Sequence, residues 1–290
     1  MITRSFSRIG SSLGFSKNPG KADRLQERVQ SVAVATHPVS NELAAAIASD
    51  QLFLEYQPKL DWRLGRITGA EALVRWNHPT LGVIPPKRFI PPAVDGGLLR
   101  DLTDWVISQA AAQAAFWHAG GIEIDIAVNI STGDLDDSDL PDRMQQHCRN
   151  ASINPSYLTL ELSEVGVLRE AQEVSDILTR LRLKGFNLSV DDFGTGSSSH
   201  TQLQKFSEAK IDLSFVTQMM SDPRSGRVVE LLIDTAQKLG LRSVAEGVEN
   251  DEVLKLLARS RLRQDSRLLH QPADCRRFDG SVRSRVRKRN

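Results

Sequence analysis

Cysteine is scarce in this chain: Cys148 and Cys275 are the only two among 290 residues. Two distant thiols make neither a disulfide framework nor a metal-ligand spacing, and a reducing, cytoplasmic setting suits them. Long apolar runs are missing too. The least polar stretch, Val106 to Ile122, is broken by Ser108, Gln109, Gln113, Trp117 and His118. It falls short of the roughly 18 continuous apolar residues that a membrane span needs, and reads as a buried helix. The start is basic, but the following run from Ile9 to Phe15 contains Gly10, Ser11, Ser12 and Gly14, too polar for a signal-peptide core. Net charge is also small, at +1 with 25% charged residues, so the total argues neither for nor against a nucleic-acid partner. No internal repeat stands out. No glycine-rich phosphate turn follows the first strand, which counts against a dinucleotide-binding sheet.

What the chain does have is enough apolar residue, 40%, for one large core. Its charge is unevenly spread. Residues 1–22 carry Arg4, Arg8, Lys17 and Lys21 and no acid, and residues 259–290 carry ten arginines and Lys288 against three aspartates. This divides the chain into a basic leader (1–40), a domain (41–258) and an arginine-rich tail (259–290). Within the domain, short apolar strands alternate with amphipathic helices. Strands are expected at Leu52–Pro58, Ile67–Trp76, Ile124–Asn129, Leu158–Leu162, Phe186–Asp191, Ala209–Asp212 and Arg242–Glu246. Helices are expected at Asn41–Ser49, Leu98–Ala119, Leu140–Arg149, Ala171–Lys184, Ser225–Leu239 and Glu252–Ala258. The alternation predicts an α/β fold with a parallel sheet and helices outside, and modestly favours a (β/α)₈ barrel over a doubly wound sheet.

Several of these strands end in an acid or amide. Val128 leads to Asn129, Leu160 to Glu161, Val190 to Asp191-Asp192 and Ala245 to Glu246, while Glu71 lies inside the second strand. Any one of them alone is adequately explained as a solvated strand end or helix cap. Together, at the same end of successive strands, they would converge on one face of a barrel, where catalytic residues gather. Carboxylates massed there repel one another unless a cation joins them. With no histidine or cysteine at these ends, oxygen-seeking divalent ions fit better than zinc. Adjacent aspartates suit a pair of ions that activate water and hold a phosphate.

At this point the residues resemble a known family. Glu71-Ala72-Leu73-Val74-Arg75-Trp76 is similar to the signature that names the EAL phosphodiesterases. Tyr56-Gln57-Pro58, the proline-rich run Leu81–Pro91, Val128-Asn129-Ile130-Ser131, Leu160-Glu161-Leu162-Ser163-Glu164, Asp191-Asp192-Phe193-Gly194-Thr195-Gly196, Lys210-Ile211-Asp212 and Ala245-Glu246-Gly247-Val248-Glu249 follow in the family's order. The resemblance runs from about Leu52 to about Leu257. It implies a barrel that hydrolyses cyclic-di-GMP to the linear dinucleotide pGpG with two Mg²⁺ or Mn²⁺ ions, usually as a homodimer. It implies that Glu71, Asn129, Glu161 and Asp191 hold one ion, that Asp192 holds or bridges to the other, and that Glu246 binds an ion or its water. Lys210 would position or help deprotonate that water. Gln57, Leu73, Arg75, Pro86 and Asp212 would contact substrate, and Glu164 and Glu249 would steady the Asp191–Gly196 loop. Neither a nucleic-acid partner nor a membrane span is expected.

Three departures set this chain apart. Ser197 and His200 stand where the family has an aromatic residue and a leucine. The segment Leu203–Ala209 is about two residues short and lacks a proline, which threatens the placement of Lys210. The resemblance stops near Arg259, where the family continues with Leu-Gly-Cys-Asp and Gln-Gly-Tyr. Permitted codons for the stretch from Ser260, read from their second base, give Leu-Gly-Cys-Asp-Arg-Ile-Gln-Gly-Tyr-Tyr-Ile-Ser-Gln-Pro. The tail is therefore expected to be out of frame and the last βα unit incomplete or distorted, with the barrel's edge left open. A genuine basic tail for nucleic acid or anionic lipid is the competing explanation. The departures leave two functions in play: a weakened phosphodiesterase, or a degenerate domain that binds cyclic-di-GMP or a protein without hydrolysis.

Overall fold

The computed structural model describes residues 42–61, 64–164, 172–195, 200–219, 221–248, 252–253, 257 and 267–270. A short helix α1 (42–47) leads into strands β1 (Leu52–Asp61), β2 (Arg66–His78) and β3 (Gly82–Ile84). Helices α2 (Pro86–Asp95) and α3 (Leu99–Ala119) precede β4 (Asp125–Asn129). Then come α4 (Leu140–Asn150), β5 (Leu158–Ser163), α5 (Gln172–Leu183), β6 (Asn187–Phe193), α6 (His200–Leu203) and β7 (Glu208–Ile211). Helices α7 (Leu213–Gln218) and α8 (Pro223–Lys238), then β8 (Arg242–Val248) and β9 (Arg267–His270), complete the order.

The sheet runs β1-β9-β8-β7-β6-β5-β4-β2-β3, and β1 also pairs with β2. That extra ladder closes the ring, with β3 as an appendage on β2. Strands β2 and β4 to β9 are parallel, while β1 is antiparallel to both its neighbours, β2 and β9. The architecture is the expected α/β barrel. The last strand is short and its register against β8 shifts between Ala245 and Val248. The expectation of an open edge is nevertheless corrected: Lys59 to Asp61 pair with Leu269 to Arg267, so β1 and β8 both find a partner in β9.

Period-two alternation separates two environments along each strand. On β5, Leu158, Leu160 and Leu162 face the helices and are buried, while Thr159 and Glu161 occupy the other face. Full burial of one such leucine is worth about 1.5–3 kcal/mol. Helix α3 shows why the outer layer forms. Its alanines favour helix, and Leu102, Val106, Ala110, Ala114 and Trp117 make one buried stripe. It stops at Gly120-Gly121, where Gly121 takes a φ of +76°. Helix α2 extends through Pro91 and Pro92, which the sequence pattern did not suggest. Burial of Phe89, Pro92 and Ala93 holds it.

The inside of the barrel differs from the branched apolar filling usual for this architecture. Lys59, Glu71, Glu161, Ser189, Glu208 and Lys210 are all buried, and the lysines and glutamates among them pair with one another.

Candidate active site

The site lies toward the C-terminal ends of β4, β5, β6, β7 and β8, beside the middle of β2. The ammonium of Lys210, on β7, lies at its centre. It stands 2.8 Å from Glu161 Oε2, 2.8 Å from Glu246 Oε1, 3.1 Å from Asp191 Oδ1 and 3.3 Å from Glu71 Oε2. Asn129 Nδ2 donates to Glu71 Oε1 at 2.9 Å. The strands therefore bring together Glu71, Asn129, Glu161, Asp191, Glu246 and Lys210, one residue from each of six strands.

Adjacent residues on a flat strand point to opposite faces, so Asp191 and Asp192 need a local break to share a site. The β6–β7 ladder supplies it with a register shift between Val190 and Phe193. Asp192 takes a φ of +57°, in the left-handed region that aspartate tolerates better than most residues. Its carboxyl lies beside Asp191 and shares a hydrogen bond with Asp212. Asp212 also caps α7, accepting from Ser214 N at 2.9 Å. Beyond Asp192, Gly194 N donates to Glu164 Oε2 at 2.9 Å. Gly194 has a φ of +101°, a conformation that favours glycine, and a Cβ there would press on the terminal methyls of Leu232.

The electrostatics report a surplus of acid. Burial alone would lower Lys210, but Glu161, Glu71, Asp191 and Glu246 outweigh it and hold the ammonium well above its usual range. Burial alone would raise Glu161; Lys210 and Lys59 reverse that and lower it to about 2. The other acids are left wanting. Burial, joined by Glu161, pushes Glu71 up. Burial, joined by Asp191, pushes Asp192 up and takes Glu246 to about 7, even though Lys210 opposes the shift at Glu246.

The substrate-contact candidates line the mouth. Gln57 stands across the ladder from Glu71. Arg75 is half-buried, with Nε 2.8 Å from Glu55 Oε2, and donates Nη1 to Val74 O at 2.9 Å. Leu73, Pro86, Ile90, Leu99, Asn129 and Asp134 help line a cavity of about 260 Å³ beside the acids. The segment before Lys210 is tied into the sheet. Ser207 N donates to Leu188 O at 2.9 Å, and Glu208 pairs in register with Ser189 and Arg242. Glu249, Gly196 and Ser197 lie outside the described residues, as does the side chain of His200.

The sequence reading missed Lys59, Glu208 and Glu55. Lys59 and Glu55 flank Gln57 at a spacing of two on β1, which puts all three on the barrel's inner face. That spacing was the available signal.

Among the described residues, no group of three carboxylate, imidazole or thiol side chains is arranged to hold a metal ion as it stands. The carboxylates close on Lys210 instead. The donor set is all oxygen, and its acids outnumber the ammoniums of Lys59 and Lys210. That chemistry fits hard divalent ions.

An acid-lined α/β barrel with a buried lysine at the mouth is the class that fold and site define. The family model for the EAL domain matches residues 40–263, and the chain belongs to the EAL-domain family. A cyclic di-GMP phosphodiesterase of Pseudomonas aeruginosa is 40% identical over 218 residues, covering 74% of this chain and 37% of that protein. The bifunctional diguanylate cyclase/cyclic di-GMP phosphodiesterase MucR of the same species is 36% identical over 222 residues, covering 76% of this chain and 32% of its own length. The chain thus spans about a third of these curated relatives. The solved structure of the MucR phosphodiesterase in complex with c-di-GMP superposes with a TM-score of 0.75 at 35% identity, covering 80% of this chain and 94% of that one. The EAL enzyme Bd1971, in its cAMP- and cyclic-di-GMP-bound form, gives a TM-score of 0.76 at 27% identity over 87% of this chain and 71% of that one. Among the described residues, no helix is long and apolar enough to cross a membrane.

Proposed function

We propose that this domain hydrolyses cyclic-di-GMP to linear pGpG, with two Mg²⁺ or Mn²⁺ ions held among Glu71, Asn129, Glu161, Asp191, Asp192 and Glu246. The observation that carries this reading is the buried Lys210 ammonium among four carboxylates, in a chain whose relatives are named cyclic di-GMP phosphodiesterases. When bound, such ions activate water and neutralise phosphate charge. Lys210 stands within hydrogen-bond reach of four carboxylates. Its part is to orient the attacking oxygen and offset phosphate charge. Arg75 presents a forked guanidinium suited to a phosphate oxygen. Gln57, Leu73, Pro86 and Asp212 line the mouth against the rest of the substrate, and the largely apolar cavity beside Leu73 and Pro86 suits a planar base. Glu164 keeps Asp192 in place through Gly194. A homodimer belongs to the same reading, and light scattering tests it.

Purified protein incubated with cyclic-di-GMP should form pGpG in Mn²⁺ or Mg²⁺ and none in EDTA, as read by chromatography. Tight binding of cyclic-di-GMP without turnover under any ion would make the domain a binding module instead.

A further inference from the structure

Lys59 lies one layer below the acids, fully buried. Its ammonium is 2.7 Å from Glu161 Oε1 and 3.0 Å from Glu208 Oε1. The other oxygen of Glu161, Oε2, faces Lys210 at 2.8 Å. The two oxygens of one carboxylate are thus divided between two cations: the inner one to Lys59, the outer one to the cluster at the mouth. Glu208 balances Lys59, and Arg242 approaches Glu208 from outside at 3.6 Å. The lower pair is therefore close to neutral and does not compete for an ion.

This division bears on which ion the site prefers. A carboxylate free to use both oxygens suits Ca²⁺, which accepts bidentate ligands and irregular coordination. Mg²⁺ demands near-octahedral geometry, which one oxygen per carboxylate serves better. We propose that Lys59 is a positioning residue which, by taking Oε1, restricts Glu161 to one oxygen and so biases the site toward small six-coordinate ions over Ca²⁺. The inference rests on the metal reading above. A Lys59 that only filled the barrel and balanced charge would affect stability and leave ion preference alone.

The double variant Lys59→Met/Glu208→Gln removes one charge of each sign, so the site's overall attraction for cations is retained. Mn²⁺ binding is followed by electron paramagnetic resonance and Ca²⁺ binding by its displacement of Mn²⁺. The ratio of Ca²⁺ to Mn²⁺ affinity should rise about tenfold or more, the range typical when an outer partner of a ligand is lost. An unchanged ratio in the folded variant overturns the proposal. Glu208→Gln alone keeps Lys59 and should hold the wild-type ratio; a comparable rise there moves the effect to Glu208 and overturns it too. Diffraction from Mn²⁺-loaded wild-type crystals does not depend on any variant folding. It should show Glu161 on the ion through Oε2 only and Oε1 on Lys59, and an ion held by both oxygens overturns the proposal. Wild-type protein that binds no divalent ion overturns the metal reading along with it, which sets that failure apart from failure at Lys59 alone.

Discussion

Glu164 accepts the backbone N–H of Gly194 at 2.9 Å and thereby ties the end of β5 to the turn after β6. Asp191 and Asp192 lie on β6 just before that turn, so the bond adds to the β5–β6 ladder in fixing how the paired aspartates sit. Glu164→Ala removes the acceptor and should lower turnover on the order of a hundredfold, the effect of about 1 Å of misplacement. Glu164→Gln keeps a carbonyl oxygen and should recover most of the rate. Steady-state kinetics on both variants checks this, and equal loss in both would assign the role to charge rather than to the bond.

Glu71 and Asp191 each present an oxygen to the centre of the site. Glu71→Ala or Asp191→Ala should abolish hydrolysis and weaken divalent-ion binding, because each removes a charged donor oxygen. Calorimetric titration with Mn²⁺ beside the activity assay makes the check, and full activity in either variant contradicts the site.

Lys210→Met should remove turnover while cyclic-di-GMP binding largely persists, since its task lies in orienting the attacking oxygen. Taking one partner from a buried ion cluster also costs about 3–5 kcal/mol without ions present. Divalent ions should restore part of the lost melting temperature in this variant. Equilibrium dialysis with cyclic-di-GMP separates the outcomes, and lost affinity with intact turnover would make Lys210 a substrate-binding residue.

Burial raises the Asp134 carboxyl to about 6, against opposition from Thr103, Ser131 N and Arg143. The folded state therefore holds this proton more tightly than the unfolded chain. The stability it contributes is complete below about pH 4 and is lost as pH rises through about 6. An amide can still accept from Ser131 N, which now reaches Oδ2 at 3.0 Å. Asp134→Asn should thus gain on the order of 2–3 kcal/mol over wild type at pH 8 and nothing at pH 4. Denaturant melts at the two pH values decide it.

The alternation of apolar strands and amphipathic helices was legible because most strands are buried against helices on one face, and Leu158, Leu160 and Leu162 show the pattern plainly. The acids were legible only as a set: one alone passes for a solvated strand end or helix cap, whereas recurrence at the same end of successive strands does not. Other features were harder to read. The antiparallel course of β1 was open to reading from the short connection to β2, which leaves no room for a parallel crossover; its ladder with β9 was not. The ionic interior was hidden because Lys59 and Glu208 look like ordinary surface residues until pairing places them opposite Glu161. The helix through Pro91 and Pro92 runs against local propensity and is held by the burial of Phe89 and Ala93.

The C-terminal strand gives the last prediction. Backbone pairing places Arg267–His270 between β1 and β8, which closes the ring. Reading the codons from Ser260 one base on puts Gln-Gly-Tyr-Tyr-Ile over positions 266–270, so the family's missing motif would fall on this same strand. A ladder needs only backbone groups, and the side chains then decide how well the strand packs and what it offers the site. Restoring the frame after Arg259 should raise soluble yield, melting temperature and phosphodiesterase rate together. The margin is small enough for this to show, because natural domains hold only about 5–15 kcal/mol in hand. Two truncations separate the strand from the tail. Ending the chain at Arg259 removes β9, leaves β1 and β8 with open edges, and should lower solubility sharply. Ending it at His270 keeps the ladder and should fold as well as the full chain. If that second truncation destroys a folded, active protein, the arginine-rich tail is a working part and the frameshift reading is wrong.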